Sequence, residues 1–213
     1  MLYLRKRKQE TMKNKYTTLI FAIALVAITA LQPARADNAR VSLLTCSPGN
    51  EVYELFGHTA LRYSNPDRGI DAVFNYGYFS FSAPNFVWRF ILGKTDYMVG
   101  AVDYDSFIAE YSIRGSGVTE QVLRLDSVQK ERLFNTLAIN CQLQNRVYRY
   151  NYFYNNCTTK IRDRIFEQLA PTDSIAYNND MQASTIREAL AQYTNVQPWS
   201  EFGINLLLGA DVD

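Results

Sequence analysis

The part of this chain that most limits what it can fold into is its beginning, because that part is read as unavailable to the fold. Arg5, Lys6, Arg7, Lys8, Lys13 and Lys15 make a basic leader, residues 17–31 (TTLIFAIALVAITAL) form an apolar run, and Ala34-Arg35-Ala36 offers a small-x-small cleavage site before Asp37. The run has 15 residues, where a bilayer-crossing helix needs about 20. Residues 1–36 are therefore expected to be a signal peptide cleaved after Ala36, with a retained membrane anchor as the competing arrangement. Residues 37–213 are expected to be a single exported, periplasmic domain, long enough to bury a sizeable core.

The leader also holds seven of the 22 basic and one of the 21 acidic side chains, so a formal charge of +1 for the whole chain becomes about −5 for the remainder. A surface of that sign gives no electrostatic motive for binding nucleic acid. Three cysteines remain: Cys46, Cys141 and Cys157. Export favours disulfides, and one arrangement pairs Cys46 with Cys141 and leaves Cys157 free; the other keeps all three buried and reduced.

Hydrophobic patterning predicts an α+β domain with an antiparallel sheet and packed helices. Strands are expected at 41–44, 59–63 and 72–77, the last two joined by a hairpin turn at 64–69 (SNPDRG). A short helix at 51–56 leads into Gly57-His58, and the apolar stretch 86–92 ends at Gly93, a helix C-cap signal. Strands at 97–103 and 117–125 flank a short helix opened by Asp105. Asp126 or Ser127 caps a helix presenting Leu133, Phe134, Leu137 and Ala138. The aromatic segment 148–154 alternates weakly. Asn156 then caps a helix from Cys157 whose Ile161, Ile165 and Leu169 recur at four-residue spacing before Pro171. Thr185-Ile186-Arg187-Glu188 reads as a capping box, and a last helix lies around 199–208.

His58 is the only histidine, so imidazole base chemistry near neutral pH falls to it alone. Cys157 is the cysteine in the most polar surroundings, Asn155-Asn156-Cys157-Thr158-Thr159-Lys160. A cysteine in the first turn of a helix meets unpaired N–H groups and the positive end of the dipole, which favour the thiolate. Together the two are candidates for a thiol nucleophile and its base. If 59–63 pairs with 72–77, Asn75 lies within reach of His58 as the orienting group, with Tyr76 facing the other way. A zinc site built on several histidines is impossible with one, and no phosphate loop, nucleophile-elbow serine or dinucleotide fingerprint is present, so no metal or cofactor is expected.

Four ordered blocks carry a resemblance: Ser42-Leu43-Leu44-Thr45-Cys46-Ser47-Pro48-Gly49, Leu55-Phe56-Gly57-His58-Thr59-Ala60-Leu61-Arg62, Phe74-Asn75-Tyr76-Gly77 and the run from Tyr150 through Asn156-Cys157-Thr158-Thr159 to Asp163. They resemble the periplasmic N-terminal domain of Lnb-type lipoprotein N-acyltransferases, over about residues 41–211. The His-before-Cys order is also remotely similar to circularly permuted papain-like enzymes, the NlpC-like and lecithin:retinol-acyltransferase-like proteins. The resemblance implies transfer of a fatty acyl chain from a phospholipid donor to the N-terminal amine of a lipoprotein acceptor, through an acyl-thioester on Cys157 with His58 as base. Arg62, Lys160 and Arg162, with Asn156, are the candidate substrate contacts. Full-length proteins of that type continue into a membrane-spanning region, while this sequence stops at Asp213. Work at a membrane surface through Phe79, Phe81, Phe86, Trp88 and Phe90, or with a membrane partner, is then implied; ordinary core packing is the competing role of those rings. A cell-wall peptide or amide hydrolase of the NlpC-like type shares the dyad, and a non-catalytic periplasmic accessory domain does without it.

Overall fold

A computed structural model describes residues 37–49, 54–80, 82, 84–92, 94–171, 173, 185–195 and 198–208. The leader, residues 51–53 of the expected short helix, Phe81 and the Gly93 cap lie outside them.

Six strands form one antiparallel sheet: β1 (Arg40–Cys46), β2 (His58–Asn65), β3 (Ile70–Tyr78), β4 (Asp96–Asp103), β5 (Val118–Val122) and β6 (Val147–Arg149), in the order β5-β1-β2-β3-β4-β6. Helices α1 (Phe86–Ile91), α2 (Tyr104–Ile113), α3 (Ser127–Asn140), α4 (Cys157–Phe166), α5 (Ile186–Thr194) and α6 (Pro198–Leu208) complete the described elements. The fold is therefore α+β. The hairpin expected at 64–69 is present: Asn65 pairs with Ile70 across a 3-10 turn at Pro66–Arg68.

Strand alternation sends successive side chains to opposite faces and so builds two cores. On one face Val41, Leu61, Tyr63, Phe74 and Tyr76 pack with Leu133 and Leu137 of α3 and Ile161 of α4. On the other, Leu44, Cys46, Ala60 and Val73 pack with Phe107 and Tyr111 of α2. Cys46 belongs to the second core and Cys141 borders the first, so the sheet separates them. All three cysteines are free, and the Cys46–Cys141 disulfide is not formed. Buried phenols find partners: Tyr76 Oη accepts from Asn140 Nδ2 at 2.8 Å, and Tyr148 Oη donates to the Tyr76 carbonyl.

Several boundaries move for local reasons. The helix expected to open at Asp105 has its cap two residues earlier, because Asp103 Oδ1 accepts the Ser106 N–H at 2.8 Å. β5 is shorter than 117–125, since the chain leaves the sheet toward the Asp126 capping box that starts α3. Of the segment 148–154 only its start is strand. Asn151 Oδ1 accepts the N–H groups of Phe153 and Tyr154, both at 3.0 Å, and folds the rest into a turn. The α4 helix stops at Phe166, before Leu169 and Pro171.

Leu61 has no exposed surface in the first core. Leu61→Ala is expected to lower the stability of the folded chain by about 2–5 kcal/mol, the cost of a buried leucine truncation, read as a lower urea midpoint at unchanged slope.

Candidate active site

The site begins at the start of α4. Asn156 has an extended backbone; its Oδ1 accepts the Thr159 N–H at 2.9 Å, and Thr159 Oγ1 accepts the Asn156 N–H at 2.8 Å. This reciprocal capping box fixes Cys157 as the first helical residue, where unpaired N–H groups favour an anion. Asn156 Nδ2 also donates to the Tyr152 carbonyl at 2.7 Å, which ties the aromatic turn to the helix start. Thr158 Oγ1 lies 3.0 Å from Thr59 Oγ1, so the first turn of α4 abuts the start of β2.

His58 is the first residue of β2, opposite Cys46 of β1. The chain enters through Gly57 at φ 67, where a Cβ would stand 2.4 Å from the Cys46 carbonyl oxygen. Glycine is required there by both conformation and space. The imidazole Nε2 is 2.8 Å from Asn75 Oδ1 of β3. With Nε2 donating to that acceptor, Nδ1 is the nitrogen left for the Cys157 thiol. Next to them Gly77 leaves bare backbone: a Cβ on it would lie 2.7 Å from His58 Cε1 and 2.9 Å from Asn75 Oδ1. The ladder is irregular here, with Asn75 opposite Gly100 and Tyr78 opposite Met98. That bulge lays the Tyr78 ring over Gly100.

Burial by itself pushes the Cys157 thiol up. The hydrogen bond and charge of His58 outweigh it, helped by the Thr59 N–H and the Thr158 hydroxyl, and hold the thiol at about 7 against the usual 9.0. Burial likewise disfavours the imidazolium, yet the hydrogen bond and charge of Cys157 and the Asn75 amide keep His58 above the ordinary histidine range. The two groups therefore favour each other's charged forms. Cys46 behaves in the opposite way, pushed up to about 11 by burial, and burial also raises Cys141.

The structure thus brings Cys157, His58 and Asn75 together, with Tyr76 on the opposite face of β3 from Asn75, in the first core that Cys157 also borders. The other expected contacts fare differently. Arg62 is four residues along β2 from His58, roughly 13 Å at strand rise. Its guanidinium is engaged by Asp71 (2.7 and 2.6 Å), by Glu120 (3.1 and 3.0 Å) and by the Tyr104 ring (3.4 Å), so its role is to tie strands together. Arg162 pairs with Asp163 at 2.8 Å. Asn156 spends its side chain on the helix cap and the preceding turn. Lys160 is one turn after Cys157, half-buried, with its Nζ 5.0 Å from the Tyr148 ring centroid and, among the described residues, no ion pair. Burial foremost, then the Arg164 charge, lower its affinity for a proton.

Sequence reasoning missed Gly77, Thr59 and Tyr78, whose roles depend on strand register. It also missed the tyrosines around the thiol. Tyr97, Tyr148, Tyr150 and Tyr152 are all desolvated, which weakens them as acids, and all feel the Cys157 charge, which weakens them further. The density of tyrosine in 148–154 was the available signal.

Compared with known proteins, the chain matches the model of the Lnb N-terminal periplasmic domain over residues 29–193, just over three quarters of its length. The match ends short of the 211 that the four sequence blocks led one to expect. No curated protein and no solved structure matches it significantly.

Two outcomes follow from the geometry. Iodoacetamide should label Cys157 alone in the folded chain, with the rate rising through a midpoint near pH 7 as the thiolate forms, and His58→Ala should move that midpoint above 9; peptide mass mapping across pH reads both. Gly77→Ala should slow that labelling at pH 7 by about tenfold or more while the far-ultraviolet circular dichroism is kept, because its methyl displaces the imidazole rather than the core.

Proposed function

The chain belongs to the Lnb N-terminal periplasmic domain family, and on that premise we propose that it is a thiol-dependent acyltransferase, moving a fatty acyl chain from a phospholipid to the N-terminal amine of a lipoprotein. The observation that carries this reading is the Cys157 thiol held at about 7 by an imidazole that Asn75 orients in turn. A nucleophile, its base and the group that orients the base are the minimum for covalent acyl transfer. A helix-borne cysteine set against a strand-borne histidine also fits a permuted papain-like architecture.

In the first half-reaction the Cys157 thiolate attacks the ester carbonyl carbon. As the tetrahedral intermediate collapses, the C–O bond breaks and the His58 imidazolium gives its proton to the departing glycerol oxygen. Lysophospholipid leaves and the acyl group stays on sulfur. In the second half-reaction the lipoprotein amine attacks the thioester, neutral His58 takes the amine proton, the C–S bond breaks and the amide departs. The thiolate–imidazolium pair is restored. A thioester is well placed between the two, since amines attack it more readily than an oxygen ester. Lys160 is the cation that suits the donor's phosphate: it lies one turn from the nucleophile, and it lacks the carboxylate partners that occupy Arg62 and Arg162.

The desolvated tyrosines around Cys157 favour an apolar acyl group over the polar peptide of a cell-wall hydrolase, which would share the dyad. Among the described residues no helix is long and apolar enough to cross a membrane, and the donor is taken to reach the site from a membrane surface or through a membrane partner.

Incubation with phosphatidylcholine or phosphatidylethanolamine vesicles should add the mass of one acyl chain, removable by hydroxylamine. Cys157→Ser should show no adduct, and His58→Ala should form it about 10²–10⁴-fold more slowly. A protein that labels normally with iodoacetamide yet gains no acyl mass from either lipid, with or without membrane extract, would sink the acyltransferase reading in favour of an accessory domain.

A further inference from the structure

At the β4–β6 edge of the sheet lies a cavity of about 200 Å³. Its walls are chiefly Phe79, Phe86, Met98 and Val147, with Arg89 and Asp96 bringing charge to the lining. That charge is neutralised locally: Arg89 reaches Asp96 at 3.3 Å, and Arg149 reaches the same carboxylate at 3.1 Å. A phosphate, a carboxylate or a charged peptide group therefore finds no unpaired counter-charge there. The volume is below the roughly 300–1,000 Å³ typical of drug-sized ligands, and it suits one slim, uncharged segment.

The cavity is joined to the nucleophile's surroundings by stacked rings. Phe79 stacks on Tyr97 at 4.8 Å and Tyr97 on Tyr150 at 3.9 Å, and both tyrosines lie within the field of Cys157. The outer edges of these packed rings offer methylene groups an apolar surface between the cavity and the thiol on which to lose water contact. One polar atom in the lining stands out. Thr95 is 3 % exposed, and its Oγ1 has no hydrogen-bond partner among the described residues. Buried hydroxyls are almost always satisfied, so this one calls for a water beside the occupant, while the acyl carbonyl stays at Cys157.

We propose that this cavity, reached past Tyr150 and Tyr97, is the subsite for the fatty acyl chain carried by Cys157. It rests on the acyl-transfer reading for its purpose, and it adds where the chain lies and which residues set the length accepted. The rings of Phe79 and Phe86 then act as the wall of a chain slot, apart from any contact with a membrane surface.

The test uses the full chain carrying Cys157→Ser, so that binding is read without chemistry. Titration with cis-parinaric acid should give a saturable rise in fluorescence that palmitate competes away and butyrate does not. Met98→Trp, which fills the slot, and Val147→Phe, at its exposed rim, should each weaken binding at least about tenfold, while Ile113→Ser on the outer surface of α2 should not. Unchanged affinity in the Val147→Phe chain and in a folded Met98→Trp chain would overturn the proposal, as would absence of saturable binding. The two readings separate cleanly. Binding at the slot with no thioester on the native chain refutes acyl transfer alone, whereas a thioester whose chain-length preference ignores both variants refutes the slot alone.

Discussion

The interaction on which the rest of the site depends is the mutual stabilisation of charge between Cys157 and His58. Burial opposes it from both sides, since desolvation raises the pKa of a thiol and lowers that of an imidazole. Each charge is tolerated only because the other is present, and because fixed dipoles are already aimed at them. The Asn156 capping box presents the open end of α4 to the sulfur, and the Asn75 carbonyl oxygen, 2.8 Å from Nε2, supports the imidazolium. These supports come from a helix start and two strands, so the pair is only as well placed as the packing of α4 on β2 and β3.

That packing explains features that look incidental in isolation. Gly57 allows the chain to turn beneath the end of β1, and Gly77 gives the imidazole a flat backbone surface to lie against. Ile161, one helical turn beyond Cys157, anchors α4 in the core that Leu61 and Tyr76 share, so the same helix fixes Cys157 and closes one face of the sheet. The thiol whose thiolate is favoured and the thiols held protonated are separated by the same physics. Cys46 is buried among apolar side chains, where Tyr111 and the Arg114 charge offset only part of the cost, whereas Cys157 is also desolvated and has His58.

Much of the fold was legible because its signals are local. The hairpin at Pro66–Arg68, the caps at Asp126 and Asn156 and the strand alternation around Leu61 and Phe74 all arise within a few residues of sequence. Boundaries slipped where a short polar side chain captured a neighbouring N–H. Asp103 did so ahead of α2, and Asn151 did so after β6. The cations show a different limit. Arg62, Lys160 and Arg162 are equivalent as letters near the motifs, yet two are bound by carboxylates, in Arg62's case from Asp71 and Glu120, the latter far away in sequence.

By itself the sequence determined which groups were available: one histidine, three cysteines, one of them at a capped helix start, and an asparagine on a neighbouring strand. Composition and capping are properties of short segments, so these needed no knowledge of the fold. Only the tertiary structure decided that residues about a hundred positions apart would meet, that the bulge after Asn75 would lay Tyr78 over Gly100, and that four tyrosines would lie within the field of the thiol. It also decided that Cys46 and Cys141 would stand on opposite faces of one sheet. Those outcomes depend on strand register and on how a helix seats on a sheet, which are set by packing between distant segments and leave no mark on any one of them.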